Sequence, residues 1–263
     1  MIKGVLLDLS GTVHIGPDLI PGAAQAVARL REAGIPLRFV TNTSRMSRRM
    51  LMEALGRMGL EVTSDDLFTA PAAAAAFLRR ENLRPHLLVH PNLREDFADL
   101  PQQEPNAVLV TYAEDAFTYV NLNVAFRLLR RGARLLTTSK TPYFQGEDGL
   151  MLDAGPFVVA LEYASGVEAT VLGKPAKDFF LDAVASLGCL PEETVLVGDD
   201  AASDVGGALK AGLRGILVRT GKYRPGDEEK MGEGGIALAD AGAAAEWILE
   251  RNQGRPETSS KKE

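Results

Sequence analysis

Short, nearly continuous apolar runs alternate along this chain with longer stretches whose apolar residues recur at helical spacing. Residues 5–9 form the first such run and read as a strand buried on both faces. Helical spacing follows over 21–33 and stops at Gly34; residues 37–40 read as a second strand, and 47–58 as a helix closed by Gly59. Further strands are predicted at 87–89, 108–110, 135–137, 170–172, 195–197 and 216–218, with a helix over about 116–131. Strands apolar on both sides and separated by helices form parallel sheets, because the crossover helices shield both faces. The expected fold is α/β, a Rossmann-like doubly wound parallel-sheet core with an inserted α/β cap domain.

Polar residues gather where four of these strands end: Asp8 with Ser10, Thr41 with Asn42, Lys174, and Asp199 with Asp200. In open α/β sheets, ligands lie beyond the carboxyl ends of the strands. Each residue alone reads as a turn former. Four strand ends with complementary chemistry point instead to one reactive rim. The segment 75–171 has its own strand–helix alternation but none of these clusters, so it reads as a domain inserted into a core made of 1–74 and 172–253. The polar tail 254–263 has the composition of a disordered segment.

Composition narrows the class. Of 263 residues, 46% are hydrophobic and 24% charged, ordinary values for a soluble globular protein. A net charge of -6 disfavours nucleic acid as a partner. The single cysteine, Cys189, cannot form an intrachain disulfide and reads as a small packing residue. Asp8 interrupts the first apolar run, which argues against a signal peptide, and no stretch approaches the ~20 apolar residues of a membrane span. A cytoplasmic location without membrane association is the expectation.

Phosphoryl transfer needs a nucleophile, a divalent ion and donors around the moving group. Asp8 can serve as nucleophile, giving an aspartyl-phosphate that divides one hard step into two. Thr41 and Asn42 can donate to phosphate oxygens, and the N–H groups of residues 42–44 add an anion site. Lys174, in Gly-Lys-Pro after a strand, can pair with both Asp8 and the phosphate, while Asp199 and Asp204 supply oxygens for a hard cation. Magnesium suits such a set, since it takes a few carboxylates and keeps waters. Asp200 reads as a turn residue, and Ser203 as the cap of a helix beginning at Asp204. His14, His86 and His90 lack metal-binding spacing. No Gly-x-Ser-x-Gly elbow, dinucleotide fingerprint or P-loop occurs.

The arrangement resembles the haloacid dehalogenase superfamily over nearly the whole chain. The residues that carry the likeness are Asp8-Leu9-Ser10-Gly11-Thr12, Val40-Thr41-Asn42-Thr43-Ser44, Gly173-Lys174-Pro175 and Gly198-Asp199-Asp200-Ala201-Ala202-Ser203-Asp204. The runs at 155–163 and 218–223, with about a hundred residues between the second and third motifs, are similar to members with the class IIA cap. The resemblance implies Asp8 as nucleophile and magnesium ligand, the Ser10 main-chain carbonyl as a second ligand, Asp199 as a third, and Asp204 supporting the metal site or Lys174. It implies that Thr41, Asn42, Thr43 and Lys174 hold the phosphate and that cap residues within 143–157 select the substrate, a small phosphorylated molecule or phosphoamino acid. A homodimer through the cap is a further expectation from analogy.

One position departs from the family pattern. The superfamily phosphatases usually read Asp-x-Asp, with the second Asp as general acid and base; here that position is Ser10. A hydroxyl is a poor proton donor at neutral pH, whereas a tuned carboxyl contributes roughly 10²–10⁴-fold. Alkyl phosphoesters, with a basic leaving alkoxide, suffer most from that loss. Pyrophosphate and phosphoramidates have easier leaving groups, so the serine biases the expectation toward P–O–P and P–N bonds. His14 follows the loop closely, but packing is its simpler role. The competing reading is a phosphate-ligand binding or regulatory protein whose catalysis decayed through Ser10. Retention of Asp8, Lys174 and Asp199 counts against it.

Overall fold

The computed structural model describes residues 1–146 and 149–254. Its largest sheet has six strands in the order Ile236–Leu238, Arg214–Val218, Thr194–Gly198, Gly4–Asp8, Leu37–Thr41 and Leu67–Thr69. Gly4–Asp8 pairs in parallel with Thr194–Gly198 on one side and with Leu37–Thr41 on the other. Val5, Leu6 and Leu7 are buried with Val195, Leu196 and Val197, which explains the continuous apolar runs. Each such side chain contributes roughly 1.5–3 kcal/mol by leaving water.

The chain divides into two compact units. The first holds Met1–Val40, Ala54–Leu67 and the described part of Phe180–Glu263. There the helices Ala23–Glu32 and Ala241–Asn252 pack on each other. The Asp240 side chain caps the second of these by accepting from Ala243 N–H. Asn252 fixes its far end, donating to the Ile2 carbonyl and accepting from Ile2 N–H, each over 2.7 Å.

The second unit holds Thr41–Glu53 and Phe68–Phe179. Its four-stranded parallel sheet runs Thr170–Val171, Arg134–Thr137, Ala107–Val110, Pro85–Leu88. Alternate strand residues feed two apolar layers, as the two-residue period of a strand requires. Leu109 and Leu136 pack with Ala74, Leu78, Leu93 and Phe97. Val108, Val110 and Leu135 pack with Ala125, Leu129, Val158 and Leu161 from helices Tyr119–Leu129 and Ala154–Ser165.

Local corrections have local causes. The helix expected from about 116 begins at Tyr119, because the Thr118 side chain accepts from Asn121 N–H and caps it there. Ser203 does not cap a helix starting at Asp204. The helical turn already starts at Ala201, and Asp200 caps it by accepting from the N–H groups of Ala202 and Ser203. The edge strands Leu67–Thr69 and Ile236–Leu238 and the hairpin of Tyr143–Gly146 with Gly149–Leu152 carried no strong apolar run and were not expected. Residues 255–263 of the polar tail lie outside the described residues.

Candidate active site

Asp8 is the last residue of its strand, and strand pairing sets what lies beside it. Leu7 is in register with Val197, so Gly198 and Asp199 follow at the end of the neighbouring strand. The helical turn Ala201–Gly206 brings Asp204 back toward the same point. Carboxylate oxygens of Asp8, Asp199 and Asp204 all lie within 4.8 Å of one another, and all three residues are buried. Burial, then the charges of Asp8 and Asp204, push the Asp199 pKa up to about 7. Three buried carboxylates this close repel one another, and a small hard cation is the ligand that relieves that repulsion. The donor set fits magnesium.

Two loops lock this cluster. Leu9 O accepts from the N–H groups of Val13 and His14, folding the chain into a tight turn just after Asp8, and Ser10 is exposed there. Gly11 (φ 90°) and Gly221 (φ 59°) both lie in the left-handed region, and a Cβ on either would collide with Asp199 Oδ2. The Thr220 hydroxyl donates to the Gly11 carbonyl, tying the loops together. Lys222 N–H then donates to Asp199 Oδ2 over 2.7 Å. The Lys222 ammonium lies 3.5 Å from Asp200 Oδ2. Partial desolvation lowers its pKa, but Asp200, Asp199, Asp204 and Asp8 outweigh that and raise it.

The second group of expected residues lies in the other unit. Asn42 clamps Lys174 on both sides: its side-chain N–H donates to Lys174 O and its Oδ1 accepts from Lys174 N–H, each over 2.8 Å. Gly173 makes this approach possible, since a Cβ there would collide with Asn42 Oδ1 and Thr138 O. Thr43 N–H donates to Thr41 Oγ1 over 3.1 Å, and Thr41 and Lys174 are buried. Two of the histidines are engaged elsewhere. His14 Nδ1 donates to Gly16 O over 2.9 Å, and His90 meets Glu114 at 3.0 Å. Among the described residues, the three aspartates are the one group with metal-ligand geometry.

The Asp8 and Lys174 regions each fall within a matching family model. Residues 5–101 match the model described as haloacid dehalogenase-like hydrolase, and 171–243 match a second described as HAD-hydrolase-like. Haloacid dehalogenase-like hydrolase domain-containing protein 2 of Bos taurus is 49% identical over 230 residues, spanning 88% of this chain and 89% of the relative. This chain belongs to the haloacid dehalogenase-like hydrolase family. The phospholysine phosphohistidine inorganic pyrophosphate phosphatase of Rattus norvegicus is 42% identical over 234 residues, 86% of each chain. The p-nitrophenyl phosphatase from Archaeoglobus fulgidus superposes with a TM-score of 0.87 at 28% identity, covering 94% of this chain and 99% of that one. The α/β fold with its cap, expected from the strand pattern, is therefore that of the haloacid dehalogenase-like hydrolases.

Within this hydrolase framework, sequence reasoning named the three clustered aspartates and the Asn42 and Lys174 pair. It assigned no role to Gly11, Thr220, Gly221 and Lys222. The only signal for the last three was the Thr-Gly-Lys run after an apolar strand, and nothing local reveals that its amide reaches Asp199. No helix among the described residues is long and apolar enough to cross a membrane.

Proposed function

We propose that this enzyme is a magnesium-dependent phosphohydrolase that works through an aspartyl-phosphate on Asp8. The buried aspartate cluster carries this reading, because three carboxylates packed within 4.8 Å have a chemical rationale once a divalent cation joins them. Asp8, the Ser10 main-chain carbonyl and Asp199 would hold Mg²⁺, with Asp204 supporting them. The ion, when bound, would neutralise charge on the phosphoryl oxygens.

The protein's own groups supply the remaining steps. Asp8 attacks phosphorus and the leaving group departs on the opposite side, leaving the phosphoryl group on the Asp8 carboxylate. Thr41, Asn42, Thr43 and Lys174 hold the phosphoryl oxygens through both steps. Water then attacks the phosphorus, inorganic phosphate leaves, and the Asp8 carboxylate is regenerated. The core in this reading is 1–74 with 172–253, and 75–171 is the cap.

Ser10 supports a substrate with an undemanding leaving group. Its hydroxyl cannot act as the strong proton donor that an alkyl phosphoester needs, so phosphoramidates, pyrophosphate and related small phosphorylated molecules are the favoured class. The name of the rat relative, which includes phospholysine, phosphohistidine and inorganic pyrophosphate, supports the same class.

A magnesium-supplemented phosphate-release screen over imidodiphosphate, pyrophosphate, phosphohistidine and sugar phosphates tests the proposal. Release from P–N or P–O–P substrates should exceed release from sugar phosphates and vanish in Asp8→Asn. Release that persists in Asp8→Asn would overturn the aspartyl-phosphate route. Much faster sugar-phosphate turnover would overturn the substrate class.

A further inference from the structure

Arg45 follows directly on Thr41-Asn42-Thr43-Ser44, the loop assigned to the phosphate. Its guanidinium carbon lies 4.5 Å from the ring centroid of Phe144 and 5.9 Å from that of Tyr112. These rings meet edge to face at 5.3 Å, and His90 stacks on Tyr112 with centroids 6.2 Å apart. The backbone is held as well: Asn92 Nδ2 donates to Arg45 O over 3.1 Å, and Tyr112 N–H donates to Ser44 Oγ over 3.3 Å. All of these residues belong to one compact unit.

Among the described residues, the charge of Arg45 meets aromatic rings and no acid. Of the three acids whose charges reach Tyr112, Glu114, Asp153 and Asp115, the first meets His90 at 3.0 Å and the second accepts from Ala154 N–H at 2.7 Å. A guanidinium resting on aromatic rings keeps its in-plane N–H donors for another partner, and it has less side-chain freedom to lose when that partner arrives. The partner that matches a planar fork of donors is an oxyanion, phosphate or carboxylate. The residues assigned to the phosphate and an anchored arginine without an ion pair among the described residues therefore stand side by side in the chain.

We propose that Arg45 is a specificity-determining residue that binds a second oxyanion, carried on the leaving side of a substrate whose transferred phosphoryl group sits on Thr41, Asn42, Thr43 and Lys174. This rests on the phosphohydrolase reading and deepens it. The substrate class becomes doubly anionic: either a diphosphate or its imido analogue, or a phosphorylated amino acid with a free carboxylate. Tyr112 and Phe144 act as positioning residues that hold the guanidinium.

Binding in the presence of Mg²⁺, measured by calorimetry on Asp8→Asn protein so that the ligands are not turned over, separates this proposal from the one it rests on. Two ligand pairs differ by one oxyanion: imidodiphosphate against methyl phosphate, and O-phosphoserine against phosphoethanolamine. Arg45→Ala should weaken the doubly anionic member of at least one pair by about 10-fold or more, and the other member by less than about 2-fold. The pair that responds identifies the oxyanion as phosphate or carboxylate. Arg45→Lys, which keeps the charge without the planar fork, should fall between wild type and Arg45→Ala and shows that the loss is not misfolding. Equal losses within both pairs, or no loss in either, would overturn the proposal. Failure of the phosphohydrolase reading would appear separately, as absence of Asp8-dependent phosphate release.

Discussion

The main-chain N–H of Lys222 donates to Oδ2 of Asp199 over 2.7 Å, although the two residues are separated by a helical turn, a helix and a strand. This bond fixes one buried carboxylate of the aspartate cluster from outside the strand that carries it. A main-chain donor survives any change of the Lys222 side chain except to proline, so the loop's backbone path matters more for Asp199 than its side-chain chemistry.

That path depends on Gly221. Alanine there would sit at a φ of 59° and drive its Cβ into Asp199 Oδ2 and Gly11. Gly221→Ala should cost about 1–3 kcal/mol in stability from the backbone conformation, with steric displacement in addition. Denaturant unfolding measures the first effect, and magnesium titration of the folded variant should show weaker binding. A variant matching wild type in both would contradict the close approach of the two loops.

Magnesium binding should depend on pH through Asp199. Its folded pKa of about 7 lies above the ordinary aspartate value of 3.8, so the ion-free native state holds an extra proton between those values. Stability of the ion-free protein should therefore fall as pH rises from about 4 to about 7 and then level off. The cation competes with that proton, so its apparent affinity should weaken as pH drops below 7. The rise in Tm on adding Mg²⁺ should be larger at pH 8 than at pH 6. An increment that does not change with pH would refute the link.

Asn42 should matter through Lys174 as well as through its proposed contact with the phosphoryl group. Removing its side chain leaves a buried N–H and carbonyl of Lys174 without the bonds made at 2.8 Å, a loss of about 1–3 kcal/mol. Asn42→Asp keeps the shape and can still accept from Lys174 N–H, but it cannot donate to Lys174 O. Both variants should lower kcat/KM and thermal stability. Unchanged stability in Asn42→Ala would show that the two clamp bonds do not stabilise the fold.

Ser10 is exposed, so a larger side chain has room there. Under the proposed mechanism, Ser10→Asp supplies the missing proton donor. Turnover of an alkyl phosphoester such as a sugar phosphate should rise on the order of 10²-fold, with a much smaller change for imidodiphosphate. Equal effects on both substrates, compared in parallel assays, would remove Ser10 as the source of leaving-group preference.

Much of the core was legible because its signals are local. A strand buried on both faces must be apolar throughout, so 5–9, 37–40, 195–197 and 216–218 stand out within a residue or two of the strands observed. Edge elements such as Ile236–Leu238 are only half-buried and escape that rule. Helix starts were less legible, since any of several Ser, Thr or Asp residues can cap. The side chains of Thr118 and Asp200 are the ones that accept from the first free N–H groups.

The sequence by itself determined which residues could do chemistry, because a strand end is where an α/β sheet presents reactive groups. It marked Asp8, Asp199, Asp204, Asn42 and Lys174 as candidates from residue type and position. Only the tertiary structure decided their relations. Parallel register sets Asp8 beside the end of the Asp199 strand, and the turn at Ala201–Gly206 returns Asp204 to them. Burial raises the pKa of Asp199, and distant glycines leave room for Lys222 to reach it. These properties depend on distance and solvent exclusion between residues far apart in the chain, which no local pattern encodes.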